Sequence, residues 1–310
     1  MGKPYRIIAL DGGGIGGLYS VTLLDRLLAV FPDLIQRTDL IAGTSTGGII
    51  ALSLAAGRTT AEIRQIYRDR TKDVFNRSIW RTLTSWFALW QSKYPADGLV
   101  RVCRDALGGV TMGDLFKTVM VPAFDLMSEA SPANPSWRAR FFNNFTTTPG
   151  NPDLNELASD IAIRSASAPA YFPSYQGFVD GSVIANSPAM VAVAEAVQRA
   201  SVGVSDVRVL SIGTGGQIKY INGTDLQWGG LKWILPLIYI FMDGMSLVTD
   251  SACQKLLNDR YHRLSPVVPR ISMDDVTKLA ELEHLALSAD LGPTIHWVGK
   301  TFLGDCPISQ

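Results

Sequence analysis

Apolar residues along this chain fall into two patterns that alternate from its first residues onward. Short apolar runs bounded by glycine, aspartate or asparagine recur as RIIAL (Arg6–Leu10), DLIAG (Asp39–Gly43), VMVPAFDLM (Val119–Met127), RARFFNN (Arg138–Asn144), GFVDG (Gly177–Gly181) and VRVLSIGTG (Val207–Gly215). Runs of that length predict strands. Between them, Leu18–Phe31, Thr46–Gly57, Leu154–Ser167 and Pro188–Ala200 carry apolar residues at helical spacing. Gly57 is placed to end one of these helices and Pro188 to begin another, because proline has no amide to satisfy in a first turn. Thr60 to about Met112 reads as a longer stretch of helix and loop. Strands alternating with helices predict an α/β fold with a largely parallel central sheet flanked by helices. No internal repeat or low-complexity segment interrupts it. The expected arrangement is a single domain over residues 1–310, its core at about 5–215 and a helical C-terminal extension at about 216–310.

Composition narrows the class. Hydrophobic residues make up 47% of the 310 and charged residues 18%, which suits a folded core. Lys+Arg and Asp+Glu both total 28, so there is no basic field to neutralise the phosphates of a nucleic acid. Cys103, Cys253 and Cys306 are far apart and form neither a metal spacing nor a disulfide framework. The first residues lack the basic start and apolar stretch of a signal peptide, and Arg6 stands where a myristoylation signal wants Ser or Thr. The longest apolar stretch, Trp233–Met242, contains Pro236 and falls short of the ~20 residues needed to span a bilayer. These features predict a cytoplasmic or peripheral membrane protein with no metal and no cofactor.

The chemistry gathers where the first two strands end. After RIIAL comes DGGGIGG (Asp11–Gly17), with five glycines in six positions. Gly12, Gly14 and Gly17 satisfy the G-x-G-x-x-G of dinucleotide-binding folds, but the next strand carries its acidic residue, Asp39, at its start and not at its end, where a ribose would need it. That second strand runs into GTSTG (Gly43–Gly47), a G-x-S-x-G between strand and helix. Such a turn lifts a serine hydroxyl to the mouth of a sheet, and the following helix aims its positive end at the same place. Ser45 is therefore the candidate nucleophile. The opening glycines are the candidate oxyanion hole, since they offer unhindered backbone amides. His262, His284 and His296 all lie near the C-terminus outside any motif of small residues and read as surface or packing histidines. The better candidate base is Asp180 in FVDGSVIANSP, where a short strand delivers a carboxylate to a glycine turn.

Taken together and in this order, DGGGIGG, GTSTG and DGS (Asp180–Ser182) resemble the motifs of the patatin-like phospholipase family, D-G-G-G-x-[RK]-G, G-x-S-x-G and D-G-[GA]. SASAPAYFP (Ser165–Pro173) and the NSP after the aspartate are also similar to the family's pattern, and the likeness covers roughly Tyr5–Gly215. The resemblance implies a modified α/β-hydrolase-like sandwich that hydrolyses lipid acyl esters without a metal. It implies a dyad of Ser45 and Asp180, an oxyanion hole from the amides of Gly12, Gly13 and Gly14, and supporting roles for Asp11, Gly17, Gly43, Gly47 and Gly181. Two positions depart from the pattern. Gly16 replaces the usual Arg or Lys and removes any electrostatic help from that side chain, and Ser182 replaces a smaller residue.

A lipid substrate implies an approach to a membrane or micelle interface. Trp80, Leu83, Phe87, Trp90 and Tyr94 follow helical spacing with Arg77, Arg81 and Lys93 nearby, and predict an amphipathic interfacial helix; Trp228 and Trp233 form a second aromatic cluster. Two other functions fit parts of the chain: a non-catalytic lipid-binding protein of the same fold, suggested by Gly16, and a dinucleotide-dependent oxidoreductase, which leaves GTSTG and DGSVIANSP without a purpose.

Overall fold

A computed structural model describes residues 2–76, 91–128, 136–146, 148–217, 221, 223–224 and 226–304. Its strands are β1 (Tyr5–Leu10), β2 (Leu40–Gly43), β3 (Thr118–Ser128), β4 (Ser136–Asn143), β5 (Phe178–Asp180), β6 (Val207–Ile212) and β7 (Tyr261–Leu264). They form one sheet in the order β4-β3-β2-β1-β6-β7, with β5 attached to β3. Pairing is parallel from β3 through β7, and antiparallel where β3 meets β4 and β5. The chief helices are α1 (Gly17–Val30), α2 (Thr46–Ala55), α3 (Thr60–Val74), α4 (Asp97–Leu107), α5 (Ala158–Ala166), α6 (Ala189–Arg199), α7 (Gly230–Leu257) and α8 (Leu279–Ser288).

Strand β1 shows why the sheet is covered on both faces. Successive side chains of a strand point to opposite sides. Ile8 and Leu10 face a core built with α1, α2, α4 and α5, whereas Ile7 and Ala9 face a second core with Ala189, Ala192 and Ala196 of α6 and Leu257 of α7. All four β1 residues are fully buried, as parallel strands between helix layers must be. Helix α2 is buried along nearly its whole length, which explains why it is apolar all round. Helix α3, half in water, begins with a capping box. The Thr59 hydroxyl accepts the Glu62 amide at 3.2 Å, and the Glu62 carboxylate accepts the Thr59 amide at 2.7 Å.

The last third of the chain, expected as a helical extension, also supplies a strand. β7 pairs in parallel with β6 from Val209↔Tyr261 to Ile212↔Leu264. The long helix α7 contains Pro236, the breaker that argues against a helix in sequence, but it lies near the start, so only the carbonyl of Lys232 loses its helical partner.

One feature of the sheet positions the chemistry. β2 pairs with β3 only as far as Ala42↔Met120, and ends one residue later, at Gly43 beside Leu10 of β1. β5 takes over the same edge of β3, running the opposite way from Asp125↔Phe178 to Ala123↔Asp180. The ends of β2 and β5 therefore meet head to head, one delivering Ser45 and the other Asp180.

Candidate active site

Ser45 sits between the last residue of β2 and the first of α2, with φ 55° and ψ −121°. A non-glycine residue held at positive φ stores about 1–3 kcal/mol of strain, so the surroundings must fix it there. They do so on three sides. The Ser45 amide donates to Ser165 Oγ at 2.9 Å, Ser165 Oγ donates to the carbonyl of Pro122 at 2.6 Å, and Thr44 Oγ1 donates to the carbonyl of Ala185 at 2.6 Å. The turn is so tight that a Cβ on Gly43 would lie 2.1 Å from the carbonyl oxygen of Gly47, and one on Gly47 would lie 2.3 Å from that of Leu10. Both are backbone atoms with nowhere to go, which is the steric reason for glycine at these two positions.

The Ser45 hydroxyl donates to Asp180 Oδ2 at 2.7 Å. The other carboxylate oxygen, Oδ1, accepts the backbone amide of Ser182 at 2.7 Å. Asp180 is only 2% exposed. Burial pushes its carboxyl from 3.8 up to about 6, while the Ser182 amide and the Ser45 hydroxyl pull the other way. Near neutral pH it is a desolvated carboxylate held against a serine hydroxyl, the condition under which a carboxylate becomes a competent base.

The glycine loop passes over this pair, and its amides are not equivalent. Gly12 donates its N–H to the carbonyl of Asn186 at 3.0 Å, so it has no free donor to offer. Gly13 and Gly14 make no such bond among the described residues, and both line the cavity that contains Ser45 and Asp180. Of the three amides expected to bind an oxyanion, the geometry leaves these two. Gly14 has φ +58°, and a Cβ there would lie 2.2 Å from the carbonyl oxygen of Met273. Behind the loop, Asp11 Oδ2 is ion-paired with Arg263 Nη2, and Arg263 Nη1 donates to Ser211 Oγ at 2.7 Å. Burial opposes the charge on Arg263, but Asp11 more than offsets this and holds the guanidinium protonated above its ordinary range. Arg263 was not anticipated from sequence, because nothing in YHRLSP marks it and its partner lies 252 positions away.

The cavity beside Ser45 is apolar away from the dyad, lined by Ile49, Ile66, Leu99, Phe172, Ile238 and Met242 among others. None of the three histidines lines it. His262 lies on β7, bonded through Nε2 to Thr294 Oγ1 at 2.9 Å and stacked on Trp297. Among the described residues no group of three or more His, Cys, Asp or Glu is placed to hold a metal ion. Of the predicted interfacial helix, residues 77–90 lie outside the described residues, including Trp80, Leu83, Phe87 and Trp90. Its far end does not face outward: Tyr94 is buried and donates to Asp274 Oδ2 at 2.7 Å, and Lys93 is ion-paired with the same carboxylate. No helix among the described residues is long and apolar enough to cross a membrane.

A doubly covered, mostly parallel sheet with a serine elbow and a glycine loop at its strand ends defines a hydrolase fold of the patatin type. Residues 8–193 match the family profile Patatin-like phospholipase, and the chain belongs to that family. It is 31% identical to Protein teg of Priestia megaterium over 96% of this chain and 99% of that one. It is 28% identical to a cGAMP-activated phospholipase of Pseudomonas aeruginosa, with 98% and 94% covered, and 29% identical to Patatin-like protein 1 of Oryza sativa subsp. indica, with 80% and 70% covered. By this membership the chain is a lipid acyl hydrolase, and the dinucleotide reading of the glycine loop is overturned.

Proposed function

We propose that the protein cleaves carboxylic ester bonds of acyl lipids, with Ser45 as nucleophile and Asp180 as its base. The observation that carries this reading is the 2.7 Å hydrogen bond from a strained serine to a buried carboxylate at the floor of an apolar cavity. An acyl chain occupies the cavity and presents its carbonyl carbon to Ser45 Oγ. As the C–O bond forms, the hydroxyl proton passes to Asp180 Oδ2, and the carbonyl oxygen gains charge. The amides of Gly13 and Gly14, with the positive end of α2, stabilise that charge. Collapse of the tetrahedral adduct expels the alcohol, which takes the proton from Asp180 and leaves an acyl-serine. Water then repeats the sequence with Asp180 again as base and frees the fatty acid. Asp11, Gly17, Gly43, Gly47 and Gly181 support this geometry, and residues 1–310 act as one catalytic domain. The substrate is met at a membrane or micelle surface, with the protein bound peripherally.

A fluorophosphonate probe tests the assignment directly, because it reacts only with an activated serine. Stoichiometric labelling at Ser45 is expected, lost in Ser45→Ala and at least about a hundredfold slower in Asp180→Asn. Labelling at another residue, or at wild-type rate in Asp180→Asn, overturns the dyad.

A further inference from the structure

Helix α7 turns two apolar faces to its surroundings. One, through Ile238 and Met242, lines the cavity that holds Ser45. The other carries Ile240, Phe241, Met245, Leu247 and Val248, all exposed, with Phe241 62% and Val248 66% accessible. At about 100° per residue these five and Gly244 fall within one arc of about 160° that, from Ile240 to Val248, contains no polar side chain. Asp243, Ser246 and Asp250 lie across the helix axis from it, and the half-buried Trp233 and Leu237 extend it toward the N-terminus. An exposed apolar patch of this kind normally marks a surface that something covers.

Three observations on the same helix identify the occupant. The bare face borders the cavity-lining one around the helix, with exposed Phe241 and Met245 beside Ile238 and Met242, so the apolar outside of α7 adjoins the wall of the acyl-chain site. At the helix start, the rings of Trp228 and Trp233 lie 5.1 Å apart and Lys232 Nζ lies 5.7 Å from the Trp228 ring. Tryptophan and lysine together favour the boundary between lipid headgroups and chains. Between Ile240 and Val248 there is no Lys or Arg, so attachment by this face comes from apolar insertion rather than attraction to anionic lipid. We propose that this face of α7 seats the protein on a zwitterionic lipid surface with the mouth of the cavity against the lipid, a proposal that rests on the lipid acyl hydrolase reading of the Ser45 site.

The test is co-sedimentation with phosphatidylcholine vesicles, run beside turnover of the soluble ester p-nitrophenyl butyrate. Replacing Phe241 and Val248 together by aspartate is expected to weaken vesicle binding about tenfold or more and to change soluble-ester turnover by less than about twofold. The milder Phe241→Ser, Val248→Ser pair, with an unchanged melting temperature, must show the same direction of loss. Ser45→Ala must bind vesicles as the wild type does, which separates docking from chemistry; loss of soluble-ester turnover in that variant alone tests the active site. Wild-type binding should also persist when salt rises from about 0.1 M to about 0.5 M. Unchanged vesicle binding in both double variants refutes the proposal. So does a wild-type dimer in light scattering that the aspartate pair splits while vesicle binding stays intact, which would assign the face to a second copy of the chain.

Discussion

Replacing Asp180 by asparagine is expected to stabilise the protein at about pH 8 while removing its activity. The carboxyl stands at about 6 in the folded chain against an ordinary 3.8, because burial disfavours its charge more than its hydrogen bonds favour it. Between those values the folded protein holds a proton that the unfolded chain has released. Stability therefore falls as pH rises through that window, and the penalty is complete above about 6. At about 1.36 kcal/mol for each tenfold, the ionised carboxylate costs the fold about 3 kcal/mol at pH 8 and nothing below about pH 4. Asparagine keeps the shape: its oxygen accepts the Ser182 amide and its NH2 donates to Ser45 Oγ, so the two contacts survive with one reversed in sense. Urea unfolding should show the variant more stable by about 2–3 kcal/mol at pH 8, with the difference closing toward zero at about pH 4. A variant that is less stable at pH 8, or whose advantage does not shrink on acidification, would show that the carboxylate carries no burial penalty.

Because only the carboxylate form of Asp180 accepts the serine proton, kcat/KM on a soluble ester should fall about tenfold per pH unit below about 6 and stay level above it. A profile still rising through about pH 8 would point to another base. Arg263→Met should leave the buried Asp11 without its ion pair and loosen the glycine loop, lowering kcat about tenfold with KM little changed. Arg263→Lys should recover part of the loss, and equal kcat in all three proteins would detach the pair from the loop.

The elements up to β6 were legible because each carries a local signal. β1, β2 and α2 are apolar runs punctuated by glycine, and the elbow and the DGS turn are written in consecutive residues. What escaped has no such signal. Helix α7 falls in the stretch expected to be helical, although Pro236 and Gly244 hide its bounds, and β7 is a four-residue strand, YHRL, with polar residues in its middle. The amide inventory of the glycine loop also could not be read, since Gly12 loses its donor to Asn186, a partner 174 positions later, set by how the turn after β5 folds back. Tyr94 was misjudged for a related reason: its helical spacing with the tryptophans says nothing about Asp274, which draws it inward.

The departure at Gly16 shows why those long-range contacts matter. A Cβ at position 16 would lie 2.7 Å from Thr214 Cβ and 3.1 Å from the Thr214 carbonyl oxygen, so the space a larger side chain would enter is already filled. Thr214 Oγ1 in turn donates to the carbonyl of Gly12 at 3.2 Å and ties down the loop. A cation does reach the start of the loop from another direction, as Arg263 on Asp11. Thr214, just beyond β6, and Arg263, on β7, thus join the Asn186 carbonyl in holding the loop that lines the cavity with Ser45. Because β7 lies in the segment expected as a mere extension, removing it would take away the sheet edge and the charge beneath Asp11 together. The physical boundary of the candidate site therefore lies at least as far along the chain as Arg263, well past the last of its recognisable motifs.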